Sequence, residues 1–253
     1  MSACLRSPYP SNPPARTLYM RPLPAALAAL DSAPGRAMFR RALLEGTLEG
    51  YFKLAQQFHT QADPAYCGLG SLVCALNALG IDPGRRWKGT WRWFSEELLD
   101  CCKSLDDVRR SGITLDEAAC LARCSGAAVS VRRAGSADAG ANSRADADAD
   151  AGTGADADAF RRDLLAAATA SDGPVLIANY SRSAVGQSGS GHFSPIGGFD
   201  AATDQALVLD TARFKYPPHW MPVELLFAAM QERDADTGDS RGWMLLHRGD
   251  ARL

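Results

Sequence analysis

The chain has 253 residues, 46% of them apolar, with a formal net charge of −2 and a sequence pI near 6.1. That is enough apolar side chain to bury a full core in one domain or two closely packed halves. The dispersed Lys and Arg advertise no surface for nucleic acid, and no apolar run approaches the roughly 20 residues of a membrane span.

Residues 1–16 are rich in Ser, Pro, Ala and Arg, and the first acidic residue is Asp31. They lack the apolar stretch of a secretory signal. The expectation is a disordered leader, although an organelle transit peptide shares this composition. Met38, Phe39, Ala42, Leu43, Leu44, Leu48, Tyr51 and Leu54 predict one or two helices over 37–58, broken near Gly46. Leu69, Leu72, Val73, Leu76 and Leu79 follow at helical spacing, with Gly80 as a stop. Trp87, Trp91 and Trp93 precede a stretch to Cys102 that reads as a helix capped by Ser95. Thr114 or Asp116 caps a further helix over 115–124, ended by Gly126. Residues 128–132 alternate as a short strand. Residues 134–159 are almost entirely Ala, Asp, Gly and Ser with no large apolar side chain, and are expected to be a disordered insertion. A helix resumes at 160–169. Strands are expected at 174–180, 192–199 and 206–211, and a late helix at 224–230. Helices dominate the first half and strands the second, which is an α+β arrangement.

Seven cysteines (Cys4, Cys67, Cys74, Cys101, Cys102, Cys120 and Cys124) make an odd count without an export signal. The expectation is reduced thiols in a cytoplasmic setting. Cys101-Cys102 and the i, i+4 pair Cys120 and Cys124 lack the companions of a zinc signature, so no metal ligand set is assigned. Cys74 reads as core.

Cys67 stands at the mouth of its helix, where the positive end of the macrodipole favours thiolate. Gln61, six residues upstream, suits an oxyanion donor. His192 opens one β-run and Asp210 nearly ends the next, with the turn at 200–204 near their midpoint. A hairpin then brings imidazole and carboxylate to one sheet end, fixing the tautomer and turning the other ring nitrogen outward. Gly189-Ser-Gly191 leaves room for a substrate beside the ring. Helix-borne Cys, strand-borne His and a partner Asp follow the chain order of papain-like cysteine enzymes.

Pro64-Ala-Tyr-Cys67-Gly-Leu, Asn77-Ala-Leu, Ile81-Asp-Pro-Gly-Arg, Trp87-Lys-Gly, Trp91-Arg-Trp-Phe, Gly189-Ser-Gly-His-Phe-Ser-Pro-Ile-Gly-Gly and Asp210-Thr-Ala-Arg-Phe-Lys-Tyr-Pro-Pro-His-Trp220 together resemble the catalytic domain of phytochelatin synthases. The similarity runs from about Arg36 to Arg248, and the catalytic domain is expected over 17–253, interrupted at 134–159. The resemblance implies a papain-like fold and transfer of γ-glutamylcysteine from glutathione, through a Cys67 thioester, to a second glutathione or a phytochelatin. Glycine leaves and (γ-Glu-Cys)n-Gly for heavy-metal detoxification forms. Asp234 and Arg241 match residues that hold the γ-glutamyl group. Arg213 and Lys215, just past Asp210, suit acceptor carboxylates, and Arg213 suits a structural partner of Asp210 equally well. No tightly bound cofactor is implied. Cadmium, zinc or copper would activate through a metal–glutathione thiolate. Glutathione and phytochelatin peptides are the expected partners, without nucleic acid or membrane, and a homodimer is compatible. Two departures stand out: the Ala/Asp insertion, and the absence of the cysteine-rich C-terminal region of plant members. Two other readings stay open. One is a peptidase that hydrolyses glutathione or its S-conjugates, and the other is a thiol protein that sequesters metal directly.

Overall fold

A computed structural model describes residues 21–135 and 156–249. The expected leader, and the insertion apart from its ends, lie outside these residues. Among the described residues no helix is long and apolar enough to cross a membrane.

The elements run, in chain order, β1 (Ala28–Ala29), α1 (Ala33–Leu44), α2 (Glu49–Ala55), α3 (Cys67–Ala78), a 3-10 turn (Glu96–Leu98), α4 (Leu105–Ser111), α5 (Leu115–Cys124), β2 (Ala127–Arg133), α6 (Ala157–Thr169), β3 (Val175–Ser181), β4 (Gly191–Asp200), β5 (Gln205–Val208), β6 (His219–Pro222), α7 (Val223–Gln231) and β7 (Gly242–Arg248). The seven strands form one antiparallel sheet in the order β1-β6-β5-β4-β3-β7-β2. Helices therefore pack on an antiparallel sheet, and the α+β reading holds.

Both faces of the sheet are covered, and side-chain alternation assigns the residues to them. Val175, Ile177, Met244 and Leu246 join Leu69, Leu72 and Leu76 of α3 in one cluster. Leu176, Tyr180, Trp243 and Leu245 join Phe160 and Leu164 of α6 and Phe227 of α7 in the other. Because two faces are buried, β3 has no exposed residue along its length. Helix α3 is buried from Gly68 to Leu76 on every side, as its nearly continuous apolar sequence requires. Its burial drives the Cys67 end against the sheet.

Gly46 lies between α1 and α2 at φ 72°, and Gly80 follows α3 at φ 61°, both in the left-handed region that favours glycine. Thr114 accepts a hydrogen bond from Glu117 N at 3.2 Å, while Glu117 Oε2 accepts from Thr114 N at 2.8 Å, a complete capping box.

Several expectations need correction. The helix foreseen from Ser95 to Cys102 is only the short 3-10 turn, and Ser95 makes no side-chain cap bond. Helix α4 was not foreseen, because its charged Asp106-Asp-Val-Arg-Arg110 carries a single buried residue, Val108. The ends of the insertion are ordered. Ala134 is buried and bonds through its N–H to Arg241 O, and Asp156 caps α6 by accepting from Ala159 N. The free-thiol expectation fails at four of the cysteines. Cys101 is bonded to Cys124 and Cys102 to Cys120, because the chain turns back after α4 and sets α5 beside the 101–102 turn. Cys67 and Cys74 are free, and Cys4 lies outside the described residues.

Candidate active site

Cys67 is the first residue of α3, and no side chain caps that helix end. Its first N–H groups therefore remain available beside the sulfur, at the positive end of the dipole. β4 passes this end and delivers His192 and Phe193. β4 and β5 form the expected hairpin, with an irregularity between Ile196 and Gly198. Asp210 lies just beyond β5, fully buried, and its carboxylate reaches back to the ring: His192 Nε2 is 2.9 Å from Asp210 Oδ1. That leaves Nδ1 to face the thiol.

The electrostatics follow from this geometry. Burial pushes the Cys67 thiol up, but the His192 charge, the hydrogen bond from its ring, the Phe193 N–H and Arg182 outweigh it, and the thiol is held below its ordinary value. Burial and Arg182 oppose a charged His192, yet Asp210 and Cys67 prevail and raise its pKa. Asp210 resists burial through His192 and Arg182 and stays ionised far below the usual carboxylate range. The site thus favours a thiolate–imidazolium pair.

Gln61 is buried and fixed on both sides. Its N–H donates to Thr211 O at 3.0 Å, its Oε1 accepts from Thr211 Oγ1 at 3.1 Å, and its Nε2 donates to Asp63 O and Pro64 O at 2.9 and 3.0 Å. Glu96 supports the same loop by accepting from Ala62 N.

A cleft of about 950 Å³ opens on Cys67 and His192. Arg21, Arg110, Arg182, Lys215 and Arg241 line it against two carboxylates, Asp234 and Asp236, so it suits an anionic ligand. At one end Arg241 Nη1 donates to Asp234 Oδ2 at 2.7 Å, while Arg241 Nε is buried without a partner. Gly191 makes room for this guanidinium: a Cβ there would lie 2.3 Å from Arg241 Nη1. Gly191→Ala is therefore expected to displace Arg241 and raise KM about tenfold for a substrate whose carboxylate the guanidinium holds, the cost of one disturbed charged hydrogen bond. Steady-state kinetics check it, and Cys67 alkylation at saturating reagent should be unchanged. Lys215 lies in the cleft near Gly189, whereas Arg213 is exposed over the Phe58 ring, 5.0 Å from its centroid, and does not line the cleft.

A sequence model of the phytochelatin synthase family matches residues 18–243. The chain belongs to the phytochelatin synthase family. It is 47% identical over 233 residues to glutathione gamma-glutamylcysteinyltransferase 1 of Arabidopsis thaliana, covering 92% of this chain and 44% of that one. To glutathione gamma-glutamylcysteinyltransferase 1 of Triticum aestivum it is 49% identical over 233 residues, covering 92% and 43%. To the glutathione gamma-glutamylcysteinyltransferase of Schizosaccharomyces pombe it is 41% identical over 231 residues, covering 91% and 51%. The chain spans about half the length of the curated relatives it matches.

In this phytochelatin synthase family member the arginine beside Asp210 is Arg182, not Arg213. Arg182 is 3% exposed, and its Nη2 lies 2.9 and 2.8 Å from the two Asp210 oxygens and 2.8 Å from His192 Nε2. Gln187 holds its other amine, and the guanidinium stands over the Tyr216 ring. With the thiolate and imidazolium formed, Arg182 makes the buried constellation neutral. Sequence reasoning missed it because Ser181-Arg-Ser183 reads as a solvated turn. Its one signal is position, at the end of an entirely buried strand whose neighbour carries His192. Tyr180, edge-on to the His192 ring at 5.6 Å, shares that signal.

Proposed function

We propose that the chain transfers the γ-glutamylcysteine unit of glutathione to a second glutathione or to a longer phytochelatin, on a papain-like arrangement of helix-borne Cys67 and sheet-borne His192 and Asp210. The observation that carries this reading is the depressed Cys67 thiol facing the His192–Asp210 pair in a cationic cleft that ends in Asp234 and Arg241.

The Cys67 thiolate attacks the Cys–Gly amide carbonyl, forming a carbon–sulfur bond and an oxyanion. The Cys67 N–H at the uncapped helix end is the first donor to that oxyanion. Gln61 is the second, by turning one amide N–H off a backbone carbonyl. The carbon–nitrogen bond breaks as the His192 imidazolium gives its proton to the departing glycine amine. The acceptor's amine then attacks the thioester, passes a proton to His192, and expels the Cys67 thiolate. Asp234 suits the donor's ammonium and the Arg241 fork its carboxylate. Lys215 and Arg21 supply positive charge for the acceptor's carboxylates. Cadmium enters as part of the substrate, bound to glutathione sulfur, which prefers soft cations. The relatives' names support the donor and the group transferred.

Mass spectrometry of products from glutathione, with and without cadmium, tests this reading. Peptides lengthened by γ-Glu-Cys units, with one glycine released per unit, are the expected result. Glycine with free γ-Glu-Cys and no longer peptide would replace transfer by hydrolysis.

A further inference from the structure

Three buried polar side chains, Arg182, Gln187 and His219, run in a line away from Asp210, and the proposed reaction uses neither of the last two. Arg182 Nη2 reaches Asp210, while Nη1, on the other side of the guanidinium, donates to Gln187 Oε1. Gln187 Nε2 lies 3.2 Å from His219 Nε2, and His219 Nδ1 lies 2.8 Å from Pro217 O. Arg182 and Gln187 close the turn that follows β3, with Gln187 N donating to Arg182 O at 2.8 Å, and His219 opens β6. Two segments distant in sequence therefore meet through these side chains alone.

Their donors and acceptors allow one arrangement. A carbonyl oxygen can only accept, so the His219 Nδ1 that faces Pro217 O carries a proton. Burial, with Arg182 and His192 nearby, holds His219 below its ordinary value and keeps the ring neutral. Its Nε2 is then an acceptor, and Gln187 presents its NH₂ group there, which turns the amide oxygen to Arg182. A flipped amide would set NH₂ against the guanidinium and oxygen against the ring's lone pair, two unmade hydrogen bonds in a buried place. We infer that His219 and Gln187 are positioning residues: the ring fixes the amide, the amide fixes Arg182, and Arg182 thereby stays on Asp210 beside His192 and Cys67. This relay rests on the proposed use of Cys67 as nucleophile and His192 as acid.

A neutral amide and a neutral ring give the guanidinium a direction without adding charge. Arg182 has another place to go, since it lines the cleft and stands 5.2 Å from the centroid of the Tyr216 ring. Swung into the cleft, it would leave Asp210 and carry its charge away from the sulfur. The charged and titratable groups around it are Asp210, Cys67, His192, Tyr180, Lys215 and Tyr216. Held in place, its positive charge lowers the titrations of both Cys67 and His192. Its displacement should let both rise together.

The test compares Gln187→Met and His219→Leu with the unsubstituted full chain, circular dichroism verifying the fold of each. Each should lower kcat for glycine release from glutathione about tenfold, the scale of one lost hydrogen bond to a charged group, with KM little changed. The acid limb of Cys67 alkylation and the alkaline limb of glycine release should both move to higher pH. His219→Gln, whose amide oxygen can stand where Nε2 accepts, should recover part of the activity that His219→Leu loses. Nitrogen NMR of the unsubstituted chain with labelled histidine needs no variant to fold. At neutral pH it should show His219 neutral with its proton on Nδ1. A proton on Nε2, unmoved limbs in folded Gln187→Met, or no recovery in folded His219→Gln would overturn the relay. So would a raised KM with unchanged kcat, which would make Arg182 an anchor for substrate instead. A chain that alkylates at Cys67 but releases no glycine would sink the proposed transfer, and its alkylation limb would still decide the relay.

Discussion

Replacing Cys67 with serine is expected to lower glycine release from glutathione by about 10⁴-fold or more, the scale of losing a covalent nucleophile. The reason is specific to this site. The helix end, the His192 ring and Arg182 together favour negative charge on sulfur, but a serine hydroxyl is too weak an acid to ionise under the same field. His192→Ala should be as severe, since it removes the thiolate's counter-charge and, in the proposed transfer, the proton donor to glycine. The two groups act as one unit, so the double variant should be no worse than either single one. Additive losses would separate them and sink the shared role.

The pH dependence carries the same logic. The reactive pair forms as pH rises through the lowered Cys67 value and is lost as pH rises through the raised His192 value. Iodoacetamide should therefore alkylate Cys67 at a plateau rate that is reached below the ordinary value for a thiol. The limbs report the pair rather than either residue. A rate that climbs only near the ordinary thiol value would remove the ion pair.

The sequence made part of this legible because the physics is local. Helix α3 was readable from Leu69, Leu72, Val73 and Leu76, and the hairpin from two apolar runs around a polar turn. His192 and Asp210 followed from placing that turn. What stayed hidden depends on contacts between distant segments. Arg182 looks like any surface arginine until β3 sets it against Asp210, 28 residues further on. Arg213, nearer to Asp210 in sequence, faces the other way over Phe58. The cysteine pairs were visible but seemed unrelated, since only the return of the chain after α4 brings the 101–102 turn to α5. Helix α4 has too few buried residues to print a pattern, and its shape is settled by Tyr66 and Asp63, which bind Arg109.

Asp210→Asn is expected to separate catalysis from stability at this site. The carboxylate is fully buried and accepts from three directions, Arg182 Nη2, Ala212 N and His192 Nε2. An amide has a single acceptor oxygen and must turn its NH₂ toward one of these groups. Turned toward Arg182, it opposes another donor and strands a buried guanidinium. Turned toward His192, it forces Nε2 to accept, which puts the neutral ring's proton on Nδ1, where it cannot take one from Cys67. Either way the constellation gains net positive charge, and only the Cys67 sulfur then opposes Arg182 in disfavouring the imidazolium. Activity should fall by about 10²–10⁴-fold, with slower Cys67 alkylation at neutral pH. Unfolding free energy should fall by about 3–5 kcal/mol, as when one partner of a buried ion pair is removed. Adding Arg182→Leu should restore part of the stability, because the unpaired charge goes, while activity stays low, because the ring still lacks its carboxylate. Denaturant titration and transfer kinetics on the four proteins of this cycle decide it. If Asp210→Asn keeps wild-type alkylation and transfer, the carboxylate is a structural partner of Arg182 and not the group that orients His192.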